Sequence, residues 1–230
     1  MDIYYLIFVL PAVLFALIAQ QTVNSRFHKY SSVRNYRGLT GAEAVNQVLR
    51  ANGVYDVTVE KTGGRLTDHY DPRNNTIRLS ADVHDGVSVA AVGIAAHEAG
   101  HAIQYAQDYA PIKLRQSIIP VTRIGSMLSM PLVLLGLILY SPMGEALLLT
   151  GIMLFGAAML FQLITLPVEF DASNRAMQTL GDSRILEERE LAQTKKVLSA
   201  AAMTYVAALA VSLMQFLRLL LIFSGRRGRR

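Results

Sequence analysis

The chain has no cysteine and no tryptophan. The first absence excludes a disulfide framework and any thiolate-held metal, so a metal centre here would have to be built from histidine and carboxylate. Charge is also scarce. Charged residues are 17% of the 230 positions against 52% apolar, and the mean hydropathy is positive, which is unusual for a soluble globule. The formal net charge of +5 is modest, so the placement of the basic residues says more than their sum.

The apolar residues are gathered into blocks. Ile3 to Ile18 is uncharged, with Tyr4 and Tyr5 at its outer end, where an amphipathic ring suits a membrane interface. With no basic residue before it and no small-x-small site after it, it reads as a retained anchor rather than a cleaved leader. Ser117 to Tyr140 is a second span, with Pro120 and Pro131 as kink points. Ala146 to Leu166 is a third, joined to the second by a loop read as Ser141-Pro142-Met143-Gly144-Glu145, so the two form a helical hairpin. Val197 to Leu217 is a fourth, and Arg218 interrupts its apolar tail before the terminal Arg226-Arg227-Gly228-Arg229-Arg230. An arginine there fits either a bent span or a helix lying on the surface.

Two polar stretches remain. In the longer, Gln20 to Gln116, Thr40-Gly41-Ala42-Glu43 has capping-box spacing, and Val45, Val48 and Leu49 line one face of a helix that stops at Asn52-Gly53. Tyr55, Val57 and Val59 alternate with polar residues as in a half-buried strand, and Thr76 to Leu79 reads as another. From Val87 to Tyr109 the pattern is a long alanine-rich helix. The shorter polar stretch, Pro167 to Lys196, reads as helical. The expected organisation is an anchor over residues 1–19, a polar domain over 20–116, a hairpin over 117–166, a helical segment over 167–196, and a last membrane helix with a basic tail over 197–230.

Lys and Arg concentrate in the polar stretches, including Arg26, Lys29, Arg34 and Arg37 just after the first block, and the hairpin loop has none. The positive-inside rule therefore places both polar stretches in the cytoplasm and the loop outside. The terminal arginines oppose this if the fourth block crosses. A basic run beside a span reads as a topology signal and a contact for anionic lipid, not as a nucleic-acid patch.

The chemistry lies in the alanine-rich helix, at His97-Glu98-Ala99-Gly100-His101. Residues four apart share a helix face, so both imidazoles can address one ion while Glu98 reaches a water on it. A catalytic zinc takes three protein ligands and keeps one position open. Glu169, directly after the third span, is the preferred third ligand, and Asp171 is its rival. Two crossings separate His101 from Glu169, so both emerge on the same side of the bilayer whichever way the chain is oriented. Glu98 is then the general base, and His69, Tyr70, Tyr105 and Arg175 are candidates for steadying the oxyanion.

Three segments, His97 to Gln104, Leu66 to Arg73 and Leu166 to Ser173, resemble the YugP-like membrane zinc metallopeptidases. The layout is also similar to the wider group of integral-membrane gluzincins that includes the HtpX and CAAX-prenyl proteases. The resemblance runs from the first span to the fourth. It implies Zn²⁺, a Glu-x-x-Ala third-ligand setting at Glu169 to Ala172, and peptide-bond hydrolysis at the cytoplasmic membrane face. Ser173 stands where the wider group has aspartate, which leaves open what supports the metal histidine, with Asp171 the alternative.

The expected fold is a mainly α membrane protein with about four transmembrane helices and a small α+β zincin-like cytoplasmic domain. The expected function is a zinc metalloendopeptidase acting on membrane or membrane-adjacent proteins. Its expected partners are the bilayer and a protein or peptide substrate, with no nucleic acid. A non-catalytic scaffold with a structural zinc is the alternative, though a closed structural site has no use for Glu98. A metal transporter is disfavoured because the hairpin spans carry almost no polar ligands at mid-depth. The strand Thr76 to Leu79 is a candidate edge for an extended substrate.

Overall fold

The computed structural model describes residues 2–227 and is mainly helical. A π-turn at Tyr5–Val9 leads into α1 (Leu10–Ser31), followed by α2 (Gly41–Ala51), β1 (Thr58–Thr62), β2 (His69–Asp71), β3 (Thr76–Ser80), α3 (Ala81–His84), α4 (Val89–Ala106), α5 (Ala110–Ile138), α6 (Pro142–Asp182) and α7 (Glu188–Arg227). Among the described residues four helical stretches are long and apolar enough to cross a membrane: Tyr5–Ser31, Ala110–Ile138, Pro142–Asp182 and Glu188–Arg226. The chain divides into two compact units. One comprises Met1–Ile18, Leu114–Leu166 and Thr204–Arg230, the other Ala19–Lys113 and Pro167–Met203.

In the first unit Val133, Leu148, Ile152 and Leu219 form the buried cluster. α5 and α6 approach closely at Gly136, where a Cβ would stand 2.5 Å from the Leu148 amide nitrogen; small residues permit such contact between apolar helices. α5 runs through Pro120 and Pro131 without ending. The segment expected as a five-residue loop is shorter, because α6 already begins at Pro142. Ser141 Oγ accepts the Gly144 amide proton at 3.2 Å, and proline at a first helical position loses no intrahelical bond. Arg218 does not break α7 either. Its guanidinium pairs with Asp2, with Nη2 2.5 Å from Oδ2, and lies 5.4 Å from the centre of the Tyr5 ring, so the charge is compensated where it stands. Arg226 donates to the Gly136 and Leu139 carbonyls at the end of α5. Residues 228–230 of the basic tail lie outside the described residues.

The second unit carries the sheet. Thr40 Oγ1 accepts from the Glu43 amide and the Glu43 side chain accepts from the Thr40 amide, a complete capping box that starts α2. Val45, Val48 and Leu49 from α2 meet Ile77 and Leu79 from β3 and the alanines of α4, with Ala176 and Leu180 of α6 closing the same core. The strand expected from Tyr55 starts later, at Thr58, where parallel pairing with Thr76 begins, and Tyr55 is left exposed.

The sheet order is β1-β3-β2, with β2 antiparallel to β3. Thr76 to Leu79 is therefore the central strand, paired on both sides, and cannot be the free edge expected for substrate. β2 went unrecognised in the sequence because three residues are too few to show a period. Asp71 ends it and binds Arg73 through Nε at 3.0 Å and Nη2 at 2.9 Å, with Arg78 at 3.3 Å.

The glycine at position 100 of α4 has a steric cause. A Cβ on Gly100 would lie 2.4 Å from the Ala172 carbonyl oxygen of α6, so the two backbones touch there. Gly100→Ala should destabilise the protein by about 1–3 kcal/mol, the range for overpacking a tight contact. Gly63→Ala, where a Cβ would meet nothing within 4 Å, should leave it unchanged. Thermal unfolding of the purified variants in detergent measures the difference. Asp71 gives a pH signature. The bonded Arg73 guanidinium holds its carboxyl well below the usual range, so the ion pairs stabilise the native state at neutral pH. That stabilisation fades as pH falls below the unfolded value of about 4. Asp71→Asn should lower the neutral-pH melting temperature and narrow its gap to the wild type as pH drops toward about 2; an unchanged gap would refute the ion pairs' contribution.

Candidate metal centre

α4 starts where Ser88 Oγ accepts the Ala91 amide proton, and it runs uninterrupted through the His-Glu-Ala-Gly-His segment. The four-residue spacing sets the His97 and His101 rings together, edge to face, with centroids 4.8 Å apart. Glu169 comes from α6, brought to α4 by the Gly100–Ala172 contact. Its Oε2 lies 3.3 Å from His97 Nε2 and 3.6 Å from His101 Nε2, with the Glu169 side chain 3% exposed. His97, His101 and Glu169 each turn one ligand atom into a common cluster within 4.8 Å.

The donor set fits a zinc ion. Ligand atoms about 2.0–2.1 Å from a tetrahedral zinc stand about 3.3 Å from one another, close to the two histidine–glutamate separations seen here. Each imidazole also turns its other nitrogen outward: His97 Nδ1 lies 3.0 Å from Ser173 Oγ and His101 Nδ1 lies 3.0 Å from Gln104 Oε1. Both Nε2 atoms are thereby presented to the carboxylate. Metal-bound histidines are characteristically held in this way.

Glu98 is buried beside this cluster, 8% exposed. Burial pushes its carboxyl up to about 7; the His97 ring opposes the rise, the charges of Glu169 and Asp68 add to it, and the His69 ring opposes it. A carboxyl placed near neutrality can both take and return a proton at physiological pH.

The remaining expected residues lie outside the donor cluster. Asp171 faces away from the three ligand atoms: its Oδ2 accepts from Gln104 Nε2 at 2.8 Å and from Arg175 Nε at 2.5 Å. Serine itself, at position 173, occupies the place beside His97 that Asp171 was considered for. Arg175 is held further by Gln107 and lies 5.4 Å from the centre of the Tyr109 ring. Tyr70 donates to Asn75 Oδ1 at 2.7 Å, and its ring packs 5.4 Å from Tyr105. Burial pushes the Tyr70 hydroxyl up to about 12, so it stays a neutral donor already engaged. His69 is exposed on β2, with Nδ1 2.8 Å from the Thr67 carbonyl.

Sequence reasoning missed Gln104. The signal was present, since a residue three places after His101 shares its helix face. It also missed Asp68, whose carboxylate accepts from the Ser80 amide at 2.8 Å and so ties the loop before β2 to the end of β3.

The site assignment yields a direct test. Glu169→Ala should abolish bound zinc in the purified protein, as read by metal analysis after equilibration. Asp171→Ala should still bind one ion at saturating zinc. The reverse pattern would transfer the ligand role to Asp171.

Residues 5–224 match the family model described as "Putative neutral zinc metallopeptidase". The chain is also 47% identical over 209 residues to the "Putative membrane protease YugP" of Bacillus subtilis (strain 168), covering 91% of this chain and 92% of that protein. No solved structure matches it.

Proposed function

The chain belongs to the neutral zinc metallopeptidase family whose model spans it, and on that premise we propose an integral-membrane zinc endopeptidase cutting membrane or membrane-adjacent proteins. The observation that carries the reading is the convergence of two imidazoles and one buried carboxylate, with a second buried carboxyl, Glu98, beside them. Among the described residues three protein groups form the cluster, the number of a catalytic site; a structural zinc takes four.

His97, His101 and Glu169 would hold the metal. Bound there, zinc supplies a Lewis acid that acidifies a water molecule and polarises a peptide carbonyl. Glu98 is the residue that takes the proton from that water and delivers it to the departing amine nitrogen. The gluzincin type follows from the glutamate at position 169, and the zincin-like character of the polar domain from the helix bearing both histidines. The basic residues after the first span favour a cytoplasmic active site in the cell membrane.

Glu98→Gln should retain zinc while lowering peptide cleavage by about 10²–10⁴-fold. The comparison uses membrane-fraction proteomes of cells making wild-type or variant protein, with metal analysis of each purified enzyme. Cleavage surviving at the wild-type rate would overturn the assignment of the base.

A further inference from the structure

We infer that Gln104 is a positioning residue that fixes the tautomer of His101 and ties it to α6. The inference deepens the metal-site reading and rests on it. The Gln104 amide nitrogen faces two acceptors, the Val168 carbonyl and Asp171 Oδ2, each at 2.8 Å. Two hydrogens meet two acceptors, so the nitrogen is placed by its partners and the amide has no alternative orientation. Gln104 Oε1 is then the atom 3.0 Å from His101 Nδ1, and an amide oxygen only accepts. His101 therefore carries a proton on Nδ1, which leaves Nε2, on the Glu169 side, as the nitrogen free to bind the metal.

Gln104 is 0% exposed, so water does not compete for any of these bonds. Asp171 is itself held by Arg175 Nε, and Arg175 Nη1 donates to Gln107, so the chain of bonds runs from α4 to α6 and back to the end of α4. His97 is treated differently. Its neighbour is the Ser173 hydroxyl, which can donate or accept and so leaves that ring's tautomer open. One ligand is fixed before the metal arrives, and the other adapts to it.

The test uses the full-length protein in detergent, with selectively ¹⁵N-labelled histidine. In the metal-free wild type the His101 resonances should show Nδ1 protonated, with no Nε2–H-only tautomer. Gln104→Met, which removes both the acceptor and the donors, should mix the tautomers and raise the zinc dissociation constant about 10–100-fold, the usual effect of losing such a support. Gln104→Glu places a second carboxylate against Asp171 and should weaken zinc similarly. Adding Asp171→Asn to Gln104→Glu restores a donor opposite the new carboxylate, though not the bond to the Val168 carbonyl, and should recover part of the affinity. An unmixed tautomer in Gln104→Met, or a double variant no better than Gln104→Glu, would overturn the role. A wild type that fails to bind zinc would instead refute the metal-site reading, and the metal-free tautomer measurement separates the two failures.

Discussion

The close contact of α4 with α6 at Gly100 and Ala172 is the constraint on which the site depends. With a Cβ at position 100 only 2.4 Å from a carbonyl oxygen, no larger residue fits without moving a helix. The contact falls one residue before His101 and three after Glu169. Helix geometry then does the rest: residues on the touching faces of two helices meet, so the imidazoles of one reach the carboxylate of the other. The glycine inside the His-Glu-Ala-Gly-His segment is there for packing, and the packing makes the cluster.

A second constraint is the shortage of polar partners in an apolar chain. Buried polar atoms cost free energy unless hydrogen-bonded. Around the cluster that cost is met by a few residues, each used more than once. Gln104 serves a ring, a carbonyl and a carboxylate at once, and Asp171 accepts from both Gln104 and Arg175. Such economy makes the arrangement stiff, because removing one member strands several others. Glu98 stands apart from this web. Burial is the largest influence on its carboxyl, ahead of the neighbouring rings and carboxylates.

Much of this was legible in the chain. The apolar runs mark the helices long enough to span a bilayer, since a thickness of about 30 Å demands about 20 apolar residues in a row. The capping box at Thr40 and the paired histidines are local patterns, and local patterns survive in any fold that keeps the helix. Other readings failed for identifiable reasons. Thr76 to Leu79 looked like an edge strand, yet its place in the sheet depends on β2, a three-residue strand that leaves no periodic trace. Arg218 read as an interruption of the last apolar block because its partner, Asp2, lies far from it in sequence. Ser141 and Pro142 were read as loop although serine followed by proline is also how a helix begins.

The sequence by itself determined the spans, the short helices, the facing pair of imidazoles and the acid between them, because each depends on residues within a few turns of one another. Only the tertiary structure brought Glu169 to the two imidazoles and turned Asp171 to Gln104 and Arg175, set serine beside one histidine and glutamine beside the other, and buried Glu98. Those outcomes depend on which faces of α4 and α6 touch. That is fixed by a steric fit between residues 100 and 172, and no periodicity in either segment encodes the separation of two distant stretches of chain.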